Sequence, residues 1–369
     1  MKIKYILLLP IMVLMICCNK KPKQNSLQSD VKTVQNLNNK EVSIDSVNSY
    51  IKYRMSEMNI PAVSYAIINN GQLVFHNALG YTNLETKELV NSETIFEAAS
   101  TSKPVFASMV MLLVEDKKLD LDTPLYTYLN EDARDNFDYD DRYRKVTARM
   151  VLSHTTGFPN WRGNGELTIS FEPGTDFSYS GEGYQFLVKV VESILQTDYQ
   201  GLESYFQKHI AQPLGMIHTK FVQDEYNRNN KAYPHFNGIK NEKNYWAAKE
   251  FNTASALHTE SKEFAKWLMA IMGDKLLSEN TSIALLKEEI NVSTAPTILS
   301  EEGAIGWTLG FAKYDISNHV VLGHEGNNDG FNALFLFDKD KKWGMIQFNN
   351  ANEVYDFGFD LFRYINRSN

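Results

Sequence analysis

Cysteine is almost missing from this chain. Of 369 residues only Cys17 and Cys18 carry a thiol, and both lie at the end of an N-terminal apolar run. The rest of the chain therefore has no structural disulfide and no cysteine metal site. Long hydrophobic stretches are missing too, since the run Tyr5 to Ile16 is too short to span a bilayer comfortably. Positive charge is in deficit, with a formal net charge of −8. No basic stripe, Walker loop or dinucleotide fingerprint is present, which argues against nucleic acid as a partner. No internal repeat is evident. His154 has no second histidine spaced for zinc. The acidic stretch Glu131, Asp132, Asp135, Asp138, Asp140 and Asp141 lacks the glycine and terminal glutamate of an EF-hand loop, so it reads as a solvated surface insertion.

What is there suits a globular body. Hydrophobic residues make up 43% and aromatic residues 12% of the chain, enough to bury a large core. At the N-terminus Lys2 and Lys4 precede the apolar run, the pattern of an export signal over residues 1–18. A cysteine directly after such a run resembles a bacterial lipoprotein processing site. Cys18 is the expected acylated residue because it leaves the smaller Cys17 before the cut, while Leu14 sits better for cleavage before Cys17. That reading implies the periplasmic side of a bacterial cell envelope and membrane attachment through lipid. Residues 19–43, rich in Lys, Asn, Gln and Ser, read as a flexible tether.

The body is expected over residues 44–369. It opens with a helix from Ile44 to Met58, followed by strands Ala62 to Ile68 and Leu73 to Leu79 around the hairpin signal Asn69-Asn70-Gly71. Strands Ala333 to Phe337 and Trp343 to Asn349 and a helix from about Val354 to Ile365 close the chain. Strands and helices from both ends, with a mainly helical middle from about 115 to 303, indicate an α+β lobe interrupted by an α lobe.

The chemistry gathers in three short motifs. In Ser100-Thr101-Ser102-Lys103 the lysine sits one helical turn beyond the serine and on its face. A serine hydroxyl is a poor nucleophile until a neighbouring base takes its proton. Pro104 and the periodic Val105, Phe106, Met109, Val110, Leu112 and Leu113 place the helix start within a few residues of Ser100, where free backbone N–H groups can hold an oxyanion. Alone the tetrad carries little, because a capping serine before a solvated lysine is common. It is joined by Tyr179-Ser180-Gly181 after a Pro173-Gly174 turn, and by Gly323-His324-Glu325-Gly326 before the alternating run Phe331 to Phe337.

In this order the motifs resemble the serine β-lactamase and penicillin-binding-protein superfamily, on the class C β-lactamase, DD-peptidase and esterase side. Phe96 to Ser100, Lys118 to Pro124, Val151 to Phe158 and Gln212 to Met216 look like its connecting signatures, so the resemblance runs from roughly Ile44 to the C-terminus. It implies an antiparallel sheet with helices on its faces, an active site between the lobes, and no metal or organic cofactor. By the same resemblance Ser100 is the acylated nucleophile, Lys103 its proton partner and Tyr179 the second proton carrier. To act as a base Lys103 must be buried or lie near positive groups. The backbone N–H groups of Ser100 and Asn327 become the oxyanion donors, and Gly181, His324 and Gly326 line the substrate.

Two positions depart from the pattern. Many relatives have asparagine where Gly181 stands, and its amide can hold a substrate amide. His324 replaces the lysine of Lys-Thr-Gly and resembles the His-x-Gly of some DD-peptidases and esterases; it could donate a hydrogen bond or a positive charge. His154 and Tyr184 read as structural. The expected activity is hydrolysis of a small ester or peptide-like substrate through a Ser100 acyl-enzyme. A DD-carboxypeptidase or D-amino-acid peptidase, a hydrolytic β-lactamase and a non-catalytic penicillin-binding-like envelope protein stay open as alternatives, and oligomeric state is left open.

Overall fold

The computed structural model describes residues 31–130, 134, 140–244, 248–292 and 303–367. The export and lipidation reading at residues 1–18, with Cys17 and Cys18, lies outside them, as do Glu131, Asp132, Asp135 and Asp138. Among the described residues no helix is long and apolar enough to cross a membrane.

A two-residue alternation organises the molecule. Strand β3 (Ala62–Asn69) sends Ala62, Ala66 and Ile68 into one core and Val63, Tyr65 and Ile67 into another. Strands β14 (Phe331–Asp338) and β15 (Trp343–Asn349) do the same: Ala333, Phe335, Ile346 and Phe348 join the first core, and Leu334, Leu336, Trp343 and Met345 the second. Successive side chains of a strand point to opposite faces, so strands apolar on both must be covered on both. The second core is closed by α1 (Ile44–Glu57), through Ile44, Val47 and Ile51, and by α9 (Tyr355–Asn366), through Phe357, Leu361, Phe362 and Ile365. The first is closed by α2 (Ser102–Glu115), α7 (Ser261–Met272) and the helical lobe.

The main sheet has nine strands, every neighbouring pair antiparallel, in the order β10-β11-β12-β13-β14-β15-β3-β4-β5. The remaining members are β4 (Gln72–Asn83), β5 (Glu88–Leu89), β10 (Ile290–Asn291), β11 (Ala304–Trp307), β12 (Ala312–Ile316) and β13 (His319–Asn328). Asn70 and Gly71 both have positive φ, 51° and 71°, as the two-residue hairpin turn between β3 and β4 requires. The α+β class and the antiparallel sheet with terminal helices on one face agree with the sequence.

Two boundaries move. The later part of the segment read as a tether folds into a hairpin: β1 (Thr33–Gln35) pairs with β2 (Glu41–Ser43), and Val34 and Leu37 are buried. Polar side chains do the fastening. The Asn69 side chain exchanges two 2.8 Å hydrogen bonds with the backbone of Gln35, Trp343 Nε1 donates to Gln35 O at 2.9 Å, and Asn366 Oδ1 accepts from Leu37 N at 2.8 Å. Composition could not register a hairpin held this way. In the middle of the chain, α3 (Ala148–Leu152), α4 (Gly181–Leu195), α5 (Tyr199–Phe206) and α6 (Glu225–Asn230) build the helical lobe, but α7 already packs on β3, β4 and β15. The chain is therefore back on the sheet well before residue 303.

Candidate active site

Ser100 sits in a 3-10 turn, Ala99–Thr101, that runs directly into α2. Its shape is imposed from outside. Ala99 has φ +48°, a left-handed conformation that alanine adopts at a cost, and the surroundings hold it there. Ala98 N donates to Leu257 O, Leu257 N donates to Ser102 Oγ at 3.0 Å, and Thr101 Oγ1 donates to Ala98 O at 2.7 Å. Strand β6 (Phe96–Glu97), which feeds the turn, pairs with β9 (His258–Thr259). The segment around residues 254–259 thus braces the turn that presents the serine.

Lys103 lies one turn on, 1% exposed, with Nζ 3.1 Å from Ser100 Oγ and 2.7 Å from the carbonyl oxygen of Ala254. Burial alone lowers its pKa from 10.5 to about 7, because the ammonium has lost water without gaining a carboxylate. Tyr179 shares a hydrogen bond with Ser100, and the Lys103 nitrogen stands 4.8 Å from its ring centroid. Burial pushes the phenol upward, against the lowering effect of the Ser100 bond, so it stays protonated near neutrality. The structure therefore brings Ser100, Lys103 and Tyr179 together.

The strand carrying the third motif closes the other side. β12 pairs with β13 only as far as Gly323, so His324 to Asn328 run on beside β14, past the end of β12. That stretch packs on the Ser100 turn. A Cβ at Gly326 would lie 2.8 Å from both Ala98 O and Ser100 N, so only glycine allows the approach. The same stretch carries Asn327, the residue expected to supply the second oxyanion donor; its side chain is turned aside, accepting from Glu353 N at 3.2 Å.

His324 differs from its expectation. Its ring is buried beside Trp307 and Tyr179, 5.4 and 6.0 Å between centroids, and Nδ1 contacts the Glu325 carbonyl. Burial, then the nearby Lys103 charge, lower its pKa to about 3. It is neutral at physiological pH, so a positive charge for a substrate carboxylate is not what this histidine offers. His154 is structural, as read, but it is no bystander: its ring lies 4.4 Å from that of Tyr179, and Nδ1 accepts from Ser180 N at 3.0 Å. Tyr184 is fully buried in the core.

Gly181 is crowded by its neighbours. Asparagine there, the side chain many relatives carry, does not fit the present arrangement. A Cβ would meet the Trp161 ring at 2.7 Å and Asn160 O at 3.1 Å.

The sequence reading missed a buried clamp. Glu97, three residues before the serine, pairs with Lys231 at 2.5 Å, their side chains 0% and 1% exposed. Asn328 Nδ2 donates to Glu97 Oε2 at 2.6 Å and to Ser255 O at 3.1 Å. Burial raises the Glu97 pKa and lowers that of Lys231, while their direct contact opposes both changes. One carboxylate thereby ties together the strand entering the Ser100 turn, the end of β13 and the loop that supplies the Lys103 acceptor. No short motif joins residues 97, 231, 255 and 328, so spacing carried no signal. Among the described residues no group of histidine, cysteine and carboxylate side chains gathers where it could hold a metal ion.

A family model described as Beta-lactamase matches residues 47–367. Protein flp of Staphylococcus aureus (strain MW2) is 22% identical over 340 residues, 85% of this chain and 64% of that protein. Unguisins hydrolase ungD of Aspergillus violaceofuscus (strain CBS 115571) is 24% identical over 345 residues, 81% of this chain and 60% of that protein. The chain thus spans less than two thirds of the length of these relatives. An octameric penicillin-binding protein homologue from Pyrococcus abyssi superposes with a TM-score of 0.71 at 22% identity, covering 88% of this chain and 77% of that one. A D-amino acid amidase from Ochrobactrum anthropi SV3, complexed with D-phenylalanine, gives 0.73 at 16% identity, covering 88% and 100%. At these identities the structural likeness is one of fold.

The clamp generates a prediction. Glu97→Ala leaves Lys231 buried without its counter-charge and should lower unfolding stability by about 3–5 kcal/mol, whereas the pair change Glu97→Gln with Lys231→Met should cost much less. Urea unfolding with a common m-value measures both. A loss below about 1 kcal/mol in the single variant would show that the pair does not brace the turn.

Proposed function

This chain belongs to the β-lactamase family, and from that premise we propose that it is a serine hydrolase cleaving an ester or amide through an acyl-enzyme on Ser100. One observation carries the reading: the nitrogen of a fully buried lysine, its pKa brought to about 7, stands 3.1 Å from the serine oxygen. The Ala254 carbonyl takes one N–H of the neutral amine, leaving its lone pair free for the Ser100 proton. As Oγ bonds to the substrate carbonyl carbon, that proton passes to Lys103. The carbonyl oxygen gains charge, and the N–H groups of Ser100 and Asn327 are the donors we assign to it, a pairing supported by the close approach of Gly326 to Ser100 N. Tyr179 gives its phenolic proton to the leaving oxygen or nitrogen and recovers one from the Lys103 ammonium. Water then attacks the acyl-enzyme, its proton returns to Ser100, and the acid leaves.

A second reading has support of its own. An amide of a D-amino acid is favoured by the fold shared with the D-amino acid amidase, whose whole length the superposition covers. Hydrolysis of β-lactams ranks below both, because the site lacks a cation at 324 and an asparagine at 181. We further propose attachment to the envelope through a lipid on Cys18 or Cys17, supported by the N-terminal sequence. Mass spectrometry of the native N-terminus should find an acylated cysteine, lost when both are changed to serine. An unmodified native terminus would end that proposal.

A fluorophosphonate should add a single mass to the protein, on the peptide containing Ser100. Ser100→Ala should lose it. Lys103→Ala should remove most ester turnover, and the double variant should cost little more, since the two act as a unit. An adduct at wild-type yield on Ser100→Ala would sink the assignment.

The pH profile supplies an independent check. Below pH 7 Lys103 holds its proton and cannot accept another, so kcat/KM should rise with pH and level off above about 7. His324, neutral down to about pH 3, cannot produce this limb. A profile flat between about pH 5.5 and 8.5 would contradict the role given to Lys103.

A further inference from the structure

We infer that Trp161 forms an apolar subsite at the mouth of the cleft, selecting substrates with an uncharged aromatic or branched apolar group; this rests on the serine-hydrolase reading above. The chain direction at the second motif sets the geometry. Ser180 is extended, with φ −139° and ψ 116°, so the Cβ directions of its two neighbours share one side of the chain. Ser180 itself turns inward, its hydroxyl donating to Pro159 O at 2.8 Å and accepting from Gly183 N at 2.9 Å. Tyr179 goes the other way, to Ser100. The side Gly181 leaves open is therefore the side of the reacting serine. That space is taken by an indole: a Cβ at 181 would stand 2.7 and 2.8 Å from Trp161 Cζ2 and Cη2.

Trp161 does not hang on a loose loop. Gly181 N donates to Asn160 Oδ1 at 3.0 Å, Glu182 N donates to Asn160 O at 3.1 Å, and Arg162 N donates to Glu182 Oε1 at 3.1 Å. The segment is stitched to the first turn of α4 on both sides of the tryptophan. Even so the residue is 51% exposed, far more than a tryptophan recruited for packing. The charges beside it cancel, because Arg162 pairs with Glu182 at 3.3 Å. With His324 neutral as well, the surroundings offer little to a carboxylate and a flat apolar surface to a ring. The missing side chain at 181 thus makes room for an aromatic wall where relatives place a polar amide.

The test is a selectivity ratio. We would measure kcat/KM in two series: p-nitrophenyl acetate against p-nitrophenyl phenylacetate, which varies the acyl side, and methyl against benzyl acetate, which varies the leaving side. Trp161→Ala should lower the preference for the aromatic member on the order of tenfold in one series, which also identifies the side that meets the indole. Trp161→Phe should keep most of that preference, and Gly181→Ala, by pushing the ring away, should reproduce the loss. Ratios within about threefold of wild type in both series for Trp161→Ala would overturn the subsite while leaving the hydrolase standing. A wild type that turns over none of these esters and takes no fluorophosphonate on Ser100 would overturn the hydrolase reading and the subsite with it.

Discussion

An amine held out of water with no anion beside it is the condition on which the site depends. Two lysines in this fold are almost equally buried, and the comparison shows what the surroundings decide. Lys231 lies against the Glu97 carboxylate, which opposes the effect of burial and makes the pair a structural tie. Lys103 meets a hydroxyl and the Ala254 carbonyl, groups with dipoles but no charge, and burial acts on it unopposed. The same residue type is a brace in one place and, in the proposed mechanism, a base in the other. A carboxylate moved next to Lys103 would favour its ammonium form and remove its use as a proton acceptor near neutral pH.

Keeping that amine dry and aimed takes segments far apart in sequence. α2 supplies the lysine and the turn before it supplies the serine; residues 254–257 supply the acceptor and lock the turn; the end of β13 shuts the far side. Each is rigid for a local reason. β13 is anchored along β14, α2 is buried over most of its length, and the 254–257 segment is tied to the turn and, through Asn328, to Glu97. The left-handed Ala99 is what such over-determination permits: strain at the residue before Ser100, held by bonds from the segments around it.

Much of this was legible in the sequence where chemistry is local. The serine–lysine spacing, the helix beginning beside Ser100, the Asn70-Gly71 turn and the alternating run through Phe335 all reflect interactions between near neighbours. Contacts between distant residues left no such trace. The Glu97–Lys231 pair joins positions 134 apart by difference of number, and nothing around either suggests the other. The β1–β2 hairpin was read as a tether because its fastening is done by Asn69, Trp343 and Asn366 from elsewhere in the chain. His324 was recognised as part of the site, but its charge depends on burial, which its motif does not encode.

The protonation states together constrain what the cleft can hold. Above about pH 7, with Lys103 neutral, Tyr179 still a phenol and His324 uncharged, none of these three side chains carries a charge before substrate arrives. In the proposed reaction these side chains gain charge only when the serine attacks, as an oxyanion forms beside an ammonium in the same step. Backbone N–H dipoles fixed at that position would favour the separated pair over the uncharged ground state, which is the direction in which catalysis requires the difference to lie. A permanent cation at 324 would hold an anionic substrate before reaction as well as during it, and so would add binding that does not lower the barrier. On the proposed mechanism, a buried neutral histidine at 324 in place of a lysine would shift the site from gripping a charged substrate toward responding to charge that develops on a neutral one.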